Sequence, residues 1–322
     1  MKQIVECVPN FSEGRESAKI DAVVRAIESV PGALLLDRSS DPDHNRSVIT
    51  MAGAPGAVLE AAIRAVGKAA ELIDLREHAG EHPRIGSTDV LPFVPVRGVT
   101  MQDCILIAHR AGHEIWERYR IPIYFYEAAA IRPECKDLAN VRRGRFEGLR
   151  DAVLHDPERA PDVGEPRLHP SAGAIAVGAR KFLIAYNINL NTPDVEIANR
   201  VAKAIRFSSG GLPYVKAIGV DLRSRGLAQV SMNLTDFEQT ALRTVFEAVK
   251  NEAARCGIEI AGSEIIGLVP QHALDADAIS YLRLENFSAT QVFENRLHSA
   301  ENRLTNDTIE NIATARQEPR PK

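Results

Sequence analysis

The sequence predicts an α/β (α+β) protein built from two related strand–helix–strand–strand–helix units. Strands and amphipathic helices alternate along the chain, and the same order occurs twice. In each copy the first strand runs into asparagine, Asn10 in VPNF and Asn187 and Asn189 in YNINL. That order closes as a split βαβ, ferredoxin-like arrangement, an antiparallel sheet with helices on one face.

In the first copy, residues 3–10 (QIVECVPN) read as a short strand. Residues 16–30 follow as a helix with Ile20, Val23, Val24 and Ile27 on one face. Strands at 32–39 and 46–53 flank a polar turn at Asp41–Asn45, and an Ala-rich helix starts near Pro55, where a missing N–H costs nothing. Residues 91–98 (LPFVPVRG) read as a strand whose Pro92 and Pro95 keep it out of the middle of a sheet, or at a strand end. A helix at 100–119 and a strand at 121–130 complete this half. The second copy has a strand at 181–190, a helix at 192–207, strands at 214–222 and 227–234, and a helix over 235–257. Thr235 or Asp236 is the expected cap of that last helix, with Glu238 three residues after Thr235. Residues 155–174, rich in Pro and Gly, read equally as a linker or a ligand loop. The expected domains are 1–178 and 179–322.

Composition narrows the function. The 322 residues are 45% hydrophobic and 25% charged with a net charge of −4, so there is no basic excess to grip nucleic acid. Cys7, Cys104, Cys135 and Cys256 are too scattered for a CxxC metal pair and too few to staple the chain, which points to a reduced cytoplasmic protein. No signal peptide opens it, and no apolar run approaches the roughly 18 residues of a membrane span.

The chemistry concentrates in residues 78–90, HAGEHPRIGSTDV. His78 and His82 stand four apart, yet Gly80 and Pro83 break the helix that would align them, and no metal is expected. No GxSxG elbow and no glycine-rich phosphate cradle occur. General acid–base work fits better: an imidazole exchanges protons near neutrality, and His82 is pinned between Gly80 and Pro83. Glu81 and Asp89 are candidates to orient the ring, and Arg84 to hold an anionic group. Ordinary turn histidines would share this pattern, so spacing leaves both readings open.

Longer motifs add to this. VECVPNFSEG at 5–14, HNRSV at 44–48, residues 73–98, GARKFLIAYNINL at 178–190, LAQVSMNLTDFE at 227–238 and SEIIGLVP at 263–270 resemble the glutamate formiminotransferase family. That family includes stand-alone enzymes and the transferase half of formiminotransferase–cyclodeaminase, and the similarity spans about residues 1–297. The resemblance implies transfer of a formimino group from N-formimino-L-glutamate to N5 of tetrahydrofolate, a step of histidine degradation, by a cytoplasmic homodimer. Tetrahydrofolate is then a co-substrate, with no metal, nucleic acid or membrane involved. It further implies two subdomains whose sheets pair around a substrate tunnel, with the site drawing on both halves.

On this resemblance the catalytic histidine is His82. The folate loop is Gly164, Glu165, Pro166, Arg167, Leu168, His169, Pro170, Ser171, Ala172 and Gly173, running into the second half. Asn10, Asn45, Arg46, Arg84 and Asn187 become substrate-binding candidates, with Asn189, Arg180 and Lys181 near them. Ser39 stands where the bifunctional relatives carry aspartate, leaving Asp37 or Asp41 to substitute. The ending at 322 fits a monofunctional form, with 299–322 as a frayed helix and tail. A formiminoglutamate hydrolase, or an enzyme moving a formyl group instead, is the alternative.

Overall fold

A computed structural model describes residues 2–80 and 82–303, in two compact units that divide between Arg180 and Lys181. Glu81 and the tail beyond residue 303 lie outside the described residues.

The first unit runs β1 (Ile4–Cys7), β2 (Asn10–Phe11), α1 (Ser17–Glu28), β3 (Ala33–Asp41), β4 (Arg46–Gly53), α2 (Pro55–Leu72), β5 (Thr88–Arg97), α3 (Met101–Tyr119), β6 (Ile123–Glu127), α4 (Leu138–Val141), α5 (Arg145–Ala152) and β7 (Ile175–Ala179). Its sheet starts at β3, continues through β4 to β1 and β2 set end to end, then β5, β7 and β6. The part from β3 to β5 is antiparallel, and β7 lies parallel to both β5 and β6. The expected face of α1, Ile20, Val23, Val24 and Ile27, is buried against this sheet together with residues of α2 and α3. Thr100 and Asp103 start α3 with a reciprocal capping box. On the opposite face, Val141, Phe146 and Leu149 cover Tyr124, Tyr126 and Ala176.

Two expectations about this unit need correction. Strand β5 is interior, hydrogen-bonded on one side to β1 and β2 and on the other to β7, despite its prolines. Each proline falls where the neighbouring ladder is already irregular. Pro92 lies opposite the break between β1 and β2, and Pro95 sits at the register shift beside Val5. A missing N–H removes no regular bond there. The stretch 155–174 also belongs wholly to the first unit and does not join the two: β7 follows it, and its backbone is tied to Leu75, Ile85 and Ser87.

The second unit runs β8 (Ile184–Leu190), α6 (Val195–Ile205), β9 (Val215–Leu222), β10 (Leu227–Leu234), α7 (Leu242–Arg255), β11 (Ile260–Ile266) and α8 (Ala278–Tyr281). Its antiparallel sheet has the order β11–β8–β10–β9, the ferredoxin-like order, and the first unit repeats it from β5 through β1 and β4 to β3. Alternation sends Tyr186, Ile188, Val230 and Met232 into a core with Val201, Ile205, Val245 and Phe246. The helix expected over 235–257 begins later, at Leu242 after Ala241. Thr235 and Asp236 form a turn instead, in which the Asp236 carbonyl accepts from Gln239 and Thr240 while Thr235 Oγ1 donates to the Tyr214 carbonyl. Among the described residues no helix is long and apolar enough to cross a membrane.

Candidate active site

The described residues between α2 and β5 form neither helix nor strand until Thr88, which leaves their side chains free to converge. Gly80 allows the approach: a Cβ there would lie 2.4 Å from the His44 carbonyl oxygen. The 41–45 turn is thereby set beside the histidine segment. Asn45, with a left-handed φ of 48°, clamps it by accepting from Gly14 N (2.8 Å) and donating to the Ala79 carbonyl (3.1 Å). A short polar side chain tolerates that backbone conformation.

The two histidines have different surroundings. Arg84 Nε donates to His78 Nδ1 at 2.7 Å, so that nitrogen is the acceptor and Nε2 donates to the Asn45 carbonyl at 3.0 Å. His78 is a locked neutral imidazole, its pKa pushed down first by burial. His82 instead accepts from Arg46 Nη1 at 2.7 Å through Nε2. Burial, then the charges of Arg46 and Arg142, push its pKa down to about 2, against a hydrogen bond to the Pro83 carbonyl. Arg46 is itself lowered to about 10, chiefly by burial and then by Arg142, and its Nε is buried without a partner. It remains charged at neutral pH.

The candidate partners of His82 are distributed otherwise than expected. Asp89 accepts from Ile85 N at 2.9 Å and pairs with Arg142, so its carboxylate is committed to the chain, not to the imidazole. Arg84 is 6% exposed and fully engaged, by His78 and by Glu147 at 2.9 Å, which makes it a brace for the segment. Asp41 orients a further imidazole: His44 Nδ1 lies 2.7 Å from Asp41 Oδ2, and its ring meets that of His82 edge-on at 6.3 Å. Asn10 donates to the Val8 carbonyl, and its buried Oδ1 has no partner. Arg142, Glu147 and His44 carried no role in the sequence reading. His44 was visible in the acidic 41–45 turn, whereas the other two arrive from α5 and the residue beside α4, where no local pattern marks them. The space among Arg46, His78, His82 and Asp89 is about 10 Å³, room for about one water.

The 164–173 loop is bound to this segment through backbone. Ser87 N donates to the Ala172 carbonyl and Leu75 N to that of Ser171, each at 2.9 Å, while His169 and Gly173 exchange a pair of bonds at 2.9 and 3.0 Å. His169 Nδ1 also accepts from Ala172 N at 3.0 Å. Gly173, at φ +72°, is required, because a Cβ would lie 2.1 Å from the Ile85 carbonyl oxygen. Leu168 and Ala172 are buried, whereas Gly164, Glu165, Pro166, Arg167 and Pro170 are exposed. The loop therefore has an anchored end and an open end.

In the second unit Asn187 Nδ2 donates to Glu264 Oε1 at 3.2 Å. Gln229 Nε2 donates to the same oxygen at 2.8 Å and to Asn189 Oδ1 at 2.9 Å. Lys181 is paired with Asp236 and Glu238 at 2.8 and 3.0 Å. Arg180, at the end of the first unit, is next to Tyr126 and Glu6.

Comparison with known proteins gives this geometry a context. Residues 4–180 match the family described as the formiminotransferase domain, N-terminal subdomain, and residues 185–317 match the formiminotransferase domain. The chain is 49% identical over 298 residues to a glutamate formimidoyltransferase of Streptococcus pyogenes serotype M1, covering 92% of this chain and 99% of that one. A protein of the same name from Thermoplasma acidophilum is 43% identical, covering 93% and 99%. The formimidoyltransferase-cyclodeaminase of Mus musculus is 44% identical over 315 residues, 96% of this chain and 58% of the mouse protein.

Proposed function

The chain belongs to the formiminotransferase family, and from that premise we propose that His82 carries the protons as the formimino group of N-formimino-L-glutamate passes to N5 of tetrahydrofolate. N5 attacks the amidine carbon and must lose a proton; the departing glutamate nitrogen must gain one as its C–N bond breaks. One imidazole beside both atoms takes the first and returns the second, an effect of about 10²–10⁴-fold. The products are 5-formiminotetrahydrofolate and glutamate.

The observation that carries this reading is the Arg46–His82 pair in a membership-defined enzyme. With Arg46 Nη1 on its only free lone pair and a pKa near 2, His82 is a poor base as it stands. A substrate carboxylate offers Arg46 a stronger, charge-assisted acceptor than a neutral imidazole. Once Arg46 turns to that carboxylate, Nε2 is released and its basicity rises. Arrival of the donor thus creates the base that its transfer needs. Asn10 Oδ1 and the exposed part of the 164–173 loop are the further contacts proposed for substrate and folate. Asn187 is proposed only after it exchanges its bond to Glu264. The same reading makes the protein a cytoplasmic homodimer, which sedimentation of the purified chain tests.

The decisive assay follows the absorbance of formiminotetrahydrofolate with each substrate omitted in turn. Turnover is expected with both present and not with either alone. Consumption of formiminoglutamate without tetrahydrofolate would make the enzyme a hydrolase.

A further inference from the structure

We infer that Glu6 is the residue that recognises the donor edge of the tetrahydropterin, its 2-amino group and adjacent ring N–H. This rests on tetrahydrofolate being the acceptor, and goes beyond it by assigning one end of the ring system to one side chain.

Glu6 lies on β1 between β4 and β5, in the interior of the first unit's sheet. Val5 and Cys7 on either side of it enter the core beneath α1 and α2, so alternation directs Glu6 to the other face. Its directly opposed neighbours there are Ala52 and Val94, neither with a polar side chain. Glu6 is 2% exposed, and its Oε2 is buried with no hydrogen-bond partner. A carboxyl placed so is rare, because nearly all buried polar atoms find a partner. Burial raises its pKa to about 8 even with the Arg180 charge drawing it down.

An unmet acceptor calls for a ligand with donors. Formiminoglutamate has two carboxylates, which bring acceptors and not the donors that Oε2 lacks, and an amidine, which must sit at His82. Arg46, which holds His82, lies six residues along β4 from Ala52, the neighbour of Glu6, so the two side chains stand at different places on the sheet. Glu6 therefore serves a donor group remote from the reacting nitrogen. On tetrahydrofolate that group is the pyrimidine edge, across the ring system from N5. Two parallel N–H donors suit a carboxylate, and Arg180 beside it favours the ionised form when they arrive.

The test uses the full chain and two acceptors, tetrahydrofolate and its 2-desamino-2-methyl analogue, with wild type and Glu6→Gln. Wild-type turnover with tetrahydrofolate first checks the function itself. Wild type should then bind the analogue roughly tenfold to a hundredfold more weakly than tetrahydrofolate, the scale of a lost hydrogen bond to a charged group. Glu6→Gln should show a similar loss of affinity for tetrahydrofolate, with an unchanged KM for formiminoglutamate. The two losses should not multiply when combined, since they remove the same contact. The inference is overturned if wild type does not distinguish the two acceptors, if the losses multiply, or if the penalty falls on formiminoglutamate. The wild-type comparison decides even if the variant fails to fold.

Discussion

The first strands of the two units occupy the same place in the same topology, yet their polar side chains are satisfied differently. On β1 and β2, Glu6 Oε2 and Asn10 Oδ1 are buried without partners. On β8, Asn187 and Asn189 join Gln229, Glu264 and Glu285 in a network of amides and two carboxylates, at 2.8 to 3.5 Å. The first unit also leaves Arg46 Nε and Arg142 Nε unmet beside His82. A completed network stabilises and fixes side-chain positions; an incomplete one persists where something else completes it. The repeated fold is thus a common frame, in which the first strands of one copy leave buried polar atoms without partners where that of the other pairs them.

The largest expected effect lies at His82. His82→Gln should lower kcat at least about 100-fold while thermal midpoint and folate affinity hold, because positioned acid–base catalysis is worth no less. Asn187→Ala, at the matching strand of the second unit, should cost far less. Equal losses in the two variants would break the contrast between the units.

Arg46→Ala comes next. Losing a charge-assisted contact to a substrate carboxylate should raise the KM for formiminoglutamate roughly tenfold to a hundredfold. The same change removes the donor on Nε2 and a neighbouring positive charge. The His82 imidazole should therefore titrate at higher pH than in wild type, by NMR of the ring. A raised KM with an unmoved imidazole would mean that Arg46 binds substrate without governing the base.

These sites were legible in the sequence to different degrees, for physical reasons. Helix α1 was readable because its apolar residues recur at helical spacing, and burial follows from that spacing alone. His78, His82, Arg84 and Asp89 were found together because they are close in the chain. Their pairing was not readable: which carboxylate meets which cation depends on α5 folding back so that Glu147 reaches Arg84 from 63 residues away. Pro92 and Pro95 misled because a proline's effect depends on the neighbour's register, which the residue itself does not encode. Glu6 was read as one residue of a strand, since alternation shows that it faces away from Val5 but not that its face is buried.

A smaller effect, on stability and not turnover, should mark the second unit. Gln229→Leu deprives Asn189 Oδ1 and Glu264 Oε1 of their shared donor inside a buried region. The expected cost is about 1–3 kcal/mol in urea unfolding, with kcat within a few-fold of wild type. A large loss of kcat at full stability would show that this network, too, meets substrate.

The finest separation comes from pH. His82 is lowered from 6.5 to about 2, so between those values the unfolded chain binds a proton that the native chain refuses. Stability then rises with pH across that range and is lost as pH falls below about 6.5. Glu6 acts oppositely: raised from 4.5 to about 8, it keeps a proton that the unfolded chain has released, so stability declines as pH rises between those values. Each slope is limited to about 1.4 kcal/mol per pH unit, and that of His82 is smaller because its ring is partly in solvent. From pH 4.5 to 6.5 the two oppose each other, and above 6.5 only the Glu6 slope remains. Glu6→Gln should therefore flatten the urea midpoint between about pH 6.5 and 8, while His82→Gln leaves that arm intact and makes the acid one shallower, since His78, also lowered, still contributes to it. If Glu6→Gln keeps the wild-type slope above pH 6.5, the carboxyl is already ionised in the native chain. The unmet acceptor on β1 would then be satisfied by the protein itself, and the contrast with β8 would disappear.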